Sequence, residues 1–352
     1  MRFIFILLFV LTTLFCPDLA AKPAPQAWII DTDAGLDDAT AILYLLNQAQ
    51  TTVKAITLEG NGLTRCKPAF RNITALLKLA GHPEIPVACG RDTPLSGGHR
   101  FPVAVRRASE QQMQALLPHT SIRPPTQTAK ELMMQTLTAA AQPVNILAIG
   151  PLTTLAEVIM QNPGLKKKIG RIDIMGGAIQ VRGNIQTVLP KSANSNAEWN
   201  FYLDPRAADQ VLHAGLAVTL VPLDVTNQAW VDDEFYRWLE KERRTAAAEF
   251  VYGLLRLNKK DWIQERWSFW DPMAAVLGVN EGLASCEVVP LVVVQRPETK
   301  AGTTIVDVVR GEKVRVCMQI GRAAFEKKFL EGLNACDSER DYHPGPRCCH
   351  PS

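Results

Sequence analysis

The densest run of reactive side chains is Asp31-Thr32-Asp33-Ala34-Gly35-Leu36-Asp37-Asp38, four carboxylates inside eight residues. Such groups repel one another at neutral pH unless protons or a cation neutralise them. Carboxylate oxygens are hard ligands suited to calcium or magnesium, and Gly35 lets the segment turn tightly. Asp37 and Asp38 stand where a helix should begin, a place the helix dipole favours for acids. Four readings are open from these residues: a metal site, an N-cap at Asp37, a solvated turn, or the Asp31/Asp33 acid pair of a magnesium-dependent phosphatase. The doubled Asp37-Asp38 after glycine lies outside the phosphatase pattern and favours the metal site.

Such a cluster needs rigid elements on both sides. Short β-branched runs predict strands at 28–30, 53–58, 85–88, 144–149, 171–175 and 217–222. Between them, amphipathic stretches predict helices at 37–47, 68–80, 131–141, 152–161 and 205–214, with more between 232 and 260. This is the rhythm of parallel βαβ units, whose ligands bind at the carboxyl ends of the strands. A short helix follows Asp271, and 288–294, 303–309 and 313–318 then read as an antiparallel set. The expected fold class is α/β: a single open, mixed, mostly parallel sheet flanked by helices, with a Rossmann-like core.

Residues 31–38 followed by Ala39-Thr40-Ala41 resemble the signature of the inosine-uridine-preferring nucleoside hydrolases, where proline usually stands at the position of Ala34. Further blocks resemble that family in the expected order. They are Gly60-Asn61, Ile85-Pro86-Val87 with Pro94-Leu95, Ile146-Leu147-Ala148-Ile149-Gly150-Pro151-Leu152-Thr153, and Met175-Gly176-Gly177-Ala178. Gly183-Asn184, Ala197-Glu198-Trp199-Asn200 leading to Asp204-Pro205, Pro222-Leu223-Asp224-Val225-Thr226 and Trp270-Asp271-Pro272 complete the set.

The resemblance implies a calcium-dependent glycosidase that cleaves ribonucleosides, with Asp33, Asp38, Asp271 and the main-chain carbonyl of Ile149 holding the metal. It also makes Asp33 the base that takes a proton from the attacking water as an oxocarbenium-like ribosyl centre forms. Calcium acidifies water less than zinc does, so a carboxylate has to accept that proton. Asp37, Asn61, Asn184, Glu198 and Asn200 are implied ribose ligands, their mixed donors and acceptors matching sugar hydroxyls. Met175 is expected as a pocket wall, and Asn194 and Asn196 compete with Asn184 for its role.

Many members place histidine before the last metal aspartate, and this chain has Trp270 there. Tryptophan cannot donate the proton imidazole could, but it can stack on a purine and stabilise its electron-rich departing form. A purine nucleoside is therefore the expected substrate. Gly97 and Gly98 make residues 96–102 a candidate lid, with His99 as a candidate contact to the base; Trp230 and the stretch 252–262 are further candidates.

Residues 1–21 carry Arg2, an apolar run at 3–15 and a small-residue end, the layout of a cleaved signal peptide. The run is shorter than the roughly 20 residues a membrane helix needs, so stable membrane insertion is not expected. The division expected is a signal at 1–21, a catalytic domain at 22–335 and a Cys/Pro-rich tail at 336–352, with export to the periplasm or medium. A net charge of +3 with scattered Lys and Arg gives no footprint for a nucleic acid polymer. The partners expected are a small-molecule nucleoside and further copies of the chain in a homo-oligomer. Beyond Cys16 stand Cys66, Cys89, Cys286, Cys317, Cys336, Cys348 and Cys349, some of which should pair after export, with Cys336 to Cys348 or Cys349 the preferred bridge. A magnesium-dependent phosphatase, or a nucleoside- or ribose-binding protein without turnover, are the alternative functions.

Overall fold

The structure is a computed structural model that describes residues 24–118 and 125–335. The expected signal segment, Cys16 and the tail with its Cys336 bridge lie outside the described residues. Nine strands form one sheet: β1 (Gln26–Thr32), β2 (Thr51–Leu58), β3 (Val87–Cys89), β4 (Val144–Ala148), β5 (Ile169–Met175), β6 (Val218–Val221), β7 (Ala284–Val293), β8 (Thr304–Val306) and β9 (Glu312–Ile320). Their order is β3-β2-β1-β4-β5-β6-β9-β7-β8. The ladder is parallel from β3 through to β9, and β7 runs antiparallel to both β9 and β8.

Because side chains alternate along a strand, Ile29 and Ile30 enter different cores on opposite faces of the sheet. Ile30, Ile56, Leu147 and Val221 pack with the Leu36–Leu46, Trp270–Val279 and Arg322–Leu333 helices. Ile29, Ile146, Ile172, Ile174 and Leu220 pack with the Ala129–Ala139, Thr153–Gln161 and Pro205–Leu212 helices. Burial on both faces explains why these strands read as continuous apolar runs. Each such side chain taken from water contributes about 1.5–3 kcal/mol.

Two local features differ from the sequence expectation, and the cysteine pairing expected in general takes a definite form. The helix expected from 131 starts at Ala129, because the Thr128 side chain accepts from the Glu131 amide and the Glu131 carboxylate accepts from the Thr128 amide. A helix at Val103–Leu116 was not anticipated; its buried residues Ser109, Glu110 and Met113 present little apolar periodicity. The disulfides among the described residues are Cys66–Cys89, joining the start of the Cys66–Leu79 helix to the end of β3, and Cys286–Cys317 between β7 and β9.

Candidate active site

The order β3-β2-β1-β4-β5-β6 reverses direction between β1 and β4, the switch point where open parallel sheets leave a crevice for ligands. Asp31 of β1 pairs in register with Ala148 of β4, and the Ile149 amide donates to the Asp31 carbonyl at 2.8 Å. The acidic segment and the Ile149 carbonyl therefore emerge side by side. A Cβ on Gly150 would stand 2.8 Å from the Asp33 nitrogen, so glycine permits that approach. A Cβ on Gly62 would stand 2.1 Å from that of Asp33, which brings the Asn61 loop onto the same spot.

Within the segment, Thr32 Oγ1 donates to Asp38 Oδ1 and accepts from the Ala34 amide at 3.0 Å. Asp38 Oδ2 accepts from the Gly35 amide at 2.9 Å, and Asp33 Oδ2 accepts from the Leu63 amide at 2.8 Å. Ala34 has φ 57°, a left-handed conformation that proline, locked near −65°, cannot adopt. The departure from the usual signature at this residue is thus one of backbone as well as side chain.

Carboxylate oxygens of Asp37, Asp38 and Asp271 lie within 4.8 Å of one another. Asp271 is delivered by the first turn of the Trp270–Val279 helix, which packs on the Leu36–Leu46 helix. Burial and then the charge of Asp38 push Asp33 well above the ordinary carboxylate range. Burial and then the charges of Asp37, Asp38 and Asp33 do the same to Asp271. Asp37 is pushed up to about 7 by burial and the charge of Asp38, and burial raises Asp38 as well. Among the described residues, none of the four pairs with Lys or Arg, and the Ile149 carbonyl accepts no hydrogen bond. Four hard carboxylates with no Lys or Arg paired to them, beside a spare carbonyl, are a donor set that fits calcium or magnesium. The tight trio contains Asp37, which the resemblance had placed on ribose, while Asp33 adjoins it through Asp38.

The expected sugar ligands form two groups. Asn61 Nδ2 donates to Thr153 Oγ1 at 2.9 Å, and that hydroxyl donates to Asp204 at 2.8 Å. Asn61 Oδ1 is buried with no partner among the described residues. At the end of β5, Glu198 caps the Trp199–Leu203 helix, accepting from the Asn200, Phe201 and Gly177 amides; burial nonetheless raises it to about 7. Asn200 Nδ2 donates to the Met175 carbonyl at 3.2 Å, and Met175 is buried beside it. Asn184 Oδ1 accepts from the Trp199 amide at 3.0 Å, tying it to this second group. Its rival Asn194 is a loop latch, donating to the Ala301 carbonyl and accepting from the Asn196 and Ala197 amides. Asn196 is exposed.

The model of the inosine-uridine preferring nucleoside hydrolases matches residues 28–327. The chain belongs to this nucleoside hydrolase family. It is 37% identical over 245 residues to the pyrimidine-specific ribonucleoside hydrolase RihA of Salmonella enteritidis, a match covering 68% of this chain and 74% of that one. The fold is also that of the inosine-uridine preferring nucleoside hydrolase of Bacillus anthracis, with TM-score 0.77 and 22% identity over 88% of this chain and 99% of the other. A plant nucleoside hydrolase, PpNRh1, gives TM-score 0.77 and 27% identity over 88% of this chain and 99% of that one. Nucleoside hydrolases are ribonucleoside N-glycosidases, and this chain is one by membership.

In this nucleoside hydrolase Trp270 is half-buried next to Asp271, and its indole nitrogen has no partner among the described residues. Other aromatic candidates are engaged elsewhere. Trp230 carries the guanidinium carbons of Arg266 and Arg322 at 3.6 and 4.1 Å from its ring centroid. Trp262 is buried with its N–H on the Leu255 carbonyl, and Tyr252 stacks on Tyr236 while donating to Glu240. His99 stacks on Tyr202, ring centroids 3.9 Å apart, and its Nε2 bonds Glu298. Phe101 stacks on Trp199, so residues 99–101 are docked on the helix that Glu198 caps. Thr153 and Asp204, which orient Asn61, stand in the family blocks without a role of their own, and Arg106, which reaches Gly60, is marked in sequence only as a charged residue in a segment of little apolar periodicity.

Proposed function

We propose that this nucleoside hydrolase is exported, depends on calcium, and hydrolyses the N-glycosidic bond of ribonucleosides to free base and ribose, with purines preferred. The observation that carries the reading is the convergence of Asp33, Asp37, Asp38 and Asp271 beside the unbonded Ile149 carbonyl at the β1/β4 switch point. Asp33, Asp38, Asp271 and the Ile149 carbonyl would hold the cation, with Asp37 near enough to share in it. When bound, calcium supplies the charge that neutralises the cluster and makes nearby water more acidic.

The chain's own groups then divide the work. Asp33 is anchored through Oδ2 by the Leu63 amide, which leaves Oδ1 to take a proton from the attacking water. That water's oxygen bonds to C1′ of ribose while the bond to the base nitrogen breaks, its electrons leaving with the base. Asn61, Asn184, Glu198 and Asn200 hold the ribose hydroxyls against the Met175 wall. Asn61 Oδ1 supports this role, being a buried acceptor without a protein partner. Trp270 stacks on the departing base, while a His99 contact requires that ring to leave Tyr202.

A second preference has its own support, because RihA, 37% identical, is pyrimidine-specific by name. The deciding experiment is reducing-sugar release from inosine, guanosine, uridine and cytidine. A kcat/KM at least tenfold higher for the purines supports stacking by Trp270, and the reverse order assigns the chain to pyrimidines. Release of phosphate from nucleotides, or nucleoside binding without ribose release, would replace the hydrolase reading by one of its alternatives. Export is tested by the N-terminus of the mature protein, which should begin near residue 22.

A further inference from the structure

The Asn61 loop is held against Asp33 on one side, with the Thr64 amide on the Asp33 carbonyl at 3.1 Å and the Leu63 amide on its carboxylate. Its other side faces the Val103–Leu116 helix. Arg106 and Glu110, one helical turn apart and so on the same face, both reach the loop. Glu110 accepts from Arg65 at Nε (2.8 Å) and Nη2 (2.5 Å) and from the Arg65 amide at 3.1 Å, a forked pair that fixes the end of the loop. Arg106 Nη2 donates to the Gly60 carbonyl at 2.8 Å, the one hydrogen bond that carbonyl accepts among the described residues.

The Gly60 carbonyl and the Asn61 amide belong to one planar peptide unit, so a donor on that oxygen sets the plane from which Asn61 departs. Gly60 is also closed in by backbone, since a Cβ there would stand 2.8 Å from the Arg91 carbonyl oxygen and 3.0 Å from that of Gly90. The peptide is thus held by contacts with both the chain after β3 and the Arg106 guanidinium. Arg106 spends an unusual group on this task. It is half-buried, its Nε has no partner among the described residues, and its nearest carboxylate on the helix is occupied by Arg65.

We infer that Arg106 is a positioning residue of this hydrolase: it fixes the Gly60–Asn61 peptide so that the Asn61 side chain, bound at Nδ2 by Thr153, presents Oδ1 to the ribose. The inference rests on the ribose role proposed for Asn61. Arg106 acts through Asn61 and touches neither sugar nor base.

The test is a double-mutant cycle on the full chain, pairing Arg106→Met with Asn61→Ala, read as kcat/KM for ribose release and as amide hydrogen exchange over residues 60–64. Loss of a charged hydrogen bond predicts a fall of roughly tenfold or more for Arg106→Met on the wild-type background. On the Asn61→Ala background the same substitution should change kcat/KM less than twofold, because the side chain it orients is gone. Exchange at residues 60–64 should quicken at least tenfold in Arg106→Met, whatever the substrate. An equal fall on both backgrounds, or unchanged exchange, overturns the inference. If Arg106→Met does not fold, Arg106→Lys is put through the same cycle, since it keeps the charge but not the fork. A wild-type protein that releases no ribose contradicts the parent reading instead, and the exchange measurement then judges the clamp alone.

Discussion

Replacing Asp271 with asparagine should stabilise the metal-free protein while destroying its response to calcium. The oxygens of Asp37, Asp38 and Asp271 lie within 4.8 Å of one another. At that separation two unit charges repel by about 3–4 kcal/mol at an effective dielectric of about 20. Asp271 faces two such neighbours and Asp33 behind them. Proton uptake limits the penalty to about 1.4 kcal/mol per pH unit above the ordinary pKa, so at pH 7.5 the near-isosteric Asp271→Asn should relieve about 2–4 kcal/mol. By calorimetry in chelator, that corresponds to a rise of roughly 3–6 °C in Tm for a domain of this size. In calcium the order should invert. Wild type gains about 4.1 kcal/mol at roughly a thousandfold excess over Kd, enough to outweigh that relief, and the variant, lacking a ligand, gains little. A variant less stable than wild type in chelator would refute the reasoning, because the four carboxylates would then not be in conflict in the folded chain.

The same conflict sets a pH dependence. Asp37 is raised from 3.8 to about 7, so between those values the folded chain holds a proton that the unfolded chain has released. The stability of the chelated protein relative to the calcium-loaded form should therefore fall as pH rises from about 4 through 7, as read by Tm in the two conditions; a gap independent of pH would contradict this. Trp270→Ala should lower kcat/KM for inosine by about 10–100-fold, the worth of one base–aromatic stack, and affect uridine less; equal losses would remove the stacking role. Asp33→Ala should reduce kcat by about 10²–10⁴-fold with the circular dichroism spectrum unchanged, and undiminished turnover would take Asp33 out of the chemistry.

How much of this was legible in the sequence depended on how local each feature is. The acidic segment could be read because its four carboxylates sit on one strand–helix junction, and the strands β1 to β6 because each is a buried run between helical stretches. Asp271 was reachable only by family resemblance, since it lies 233 positions beyond Asp38 (271 − 38) and helix packing brings them together. The disulfides could not be paired from spacing, because the proximity of Cys66 to Cys89 arises only once β3 lies beside β2. The Val103–Leu116 helix escaped notice because its inner face carries Ser109 and Glu110, and with it went Arg106. Asn184 and Asn194 have the same chemistry in sequence and separate only through their partners, the Trp199 amide in one case and the Ala301 carbonyl in the other.

The central claim, that the carboxylate cluster binds calcium to hydrolyse a nucleoside, is tested most directly by stripping the purified protein with chelator and titrating calcium back while ribose release from inosine and uridine is followed. Activity should be absent without metal, return with saturation as calcium is added, and stay at least about a hundredfold below wild type at every calcium concentration in Asp33→Ala. Full activity in excess chelator, or none from either nucleoside at saturating calcium, would contradict the account.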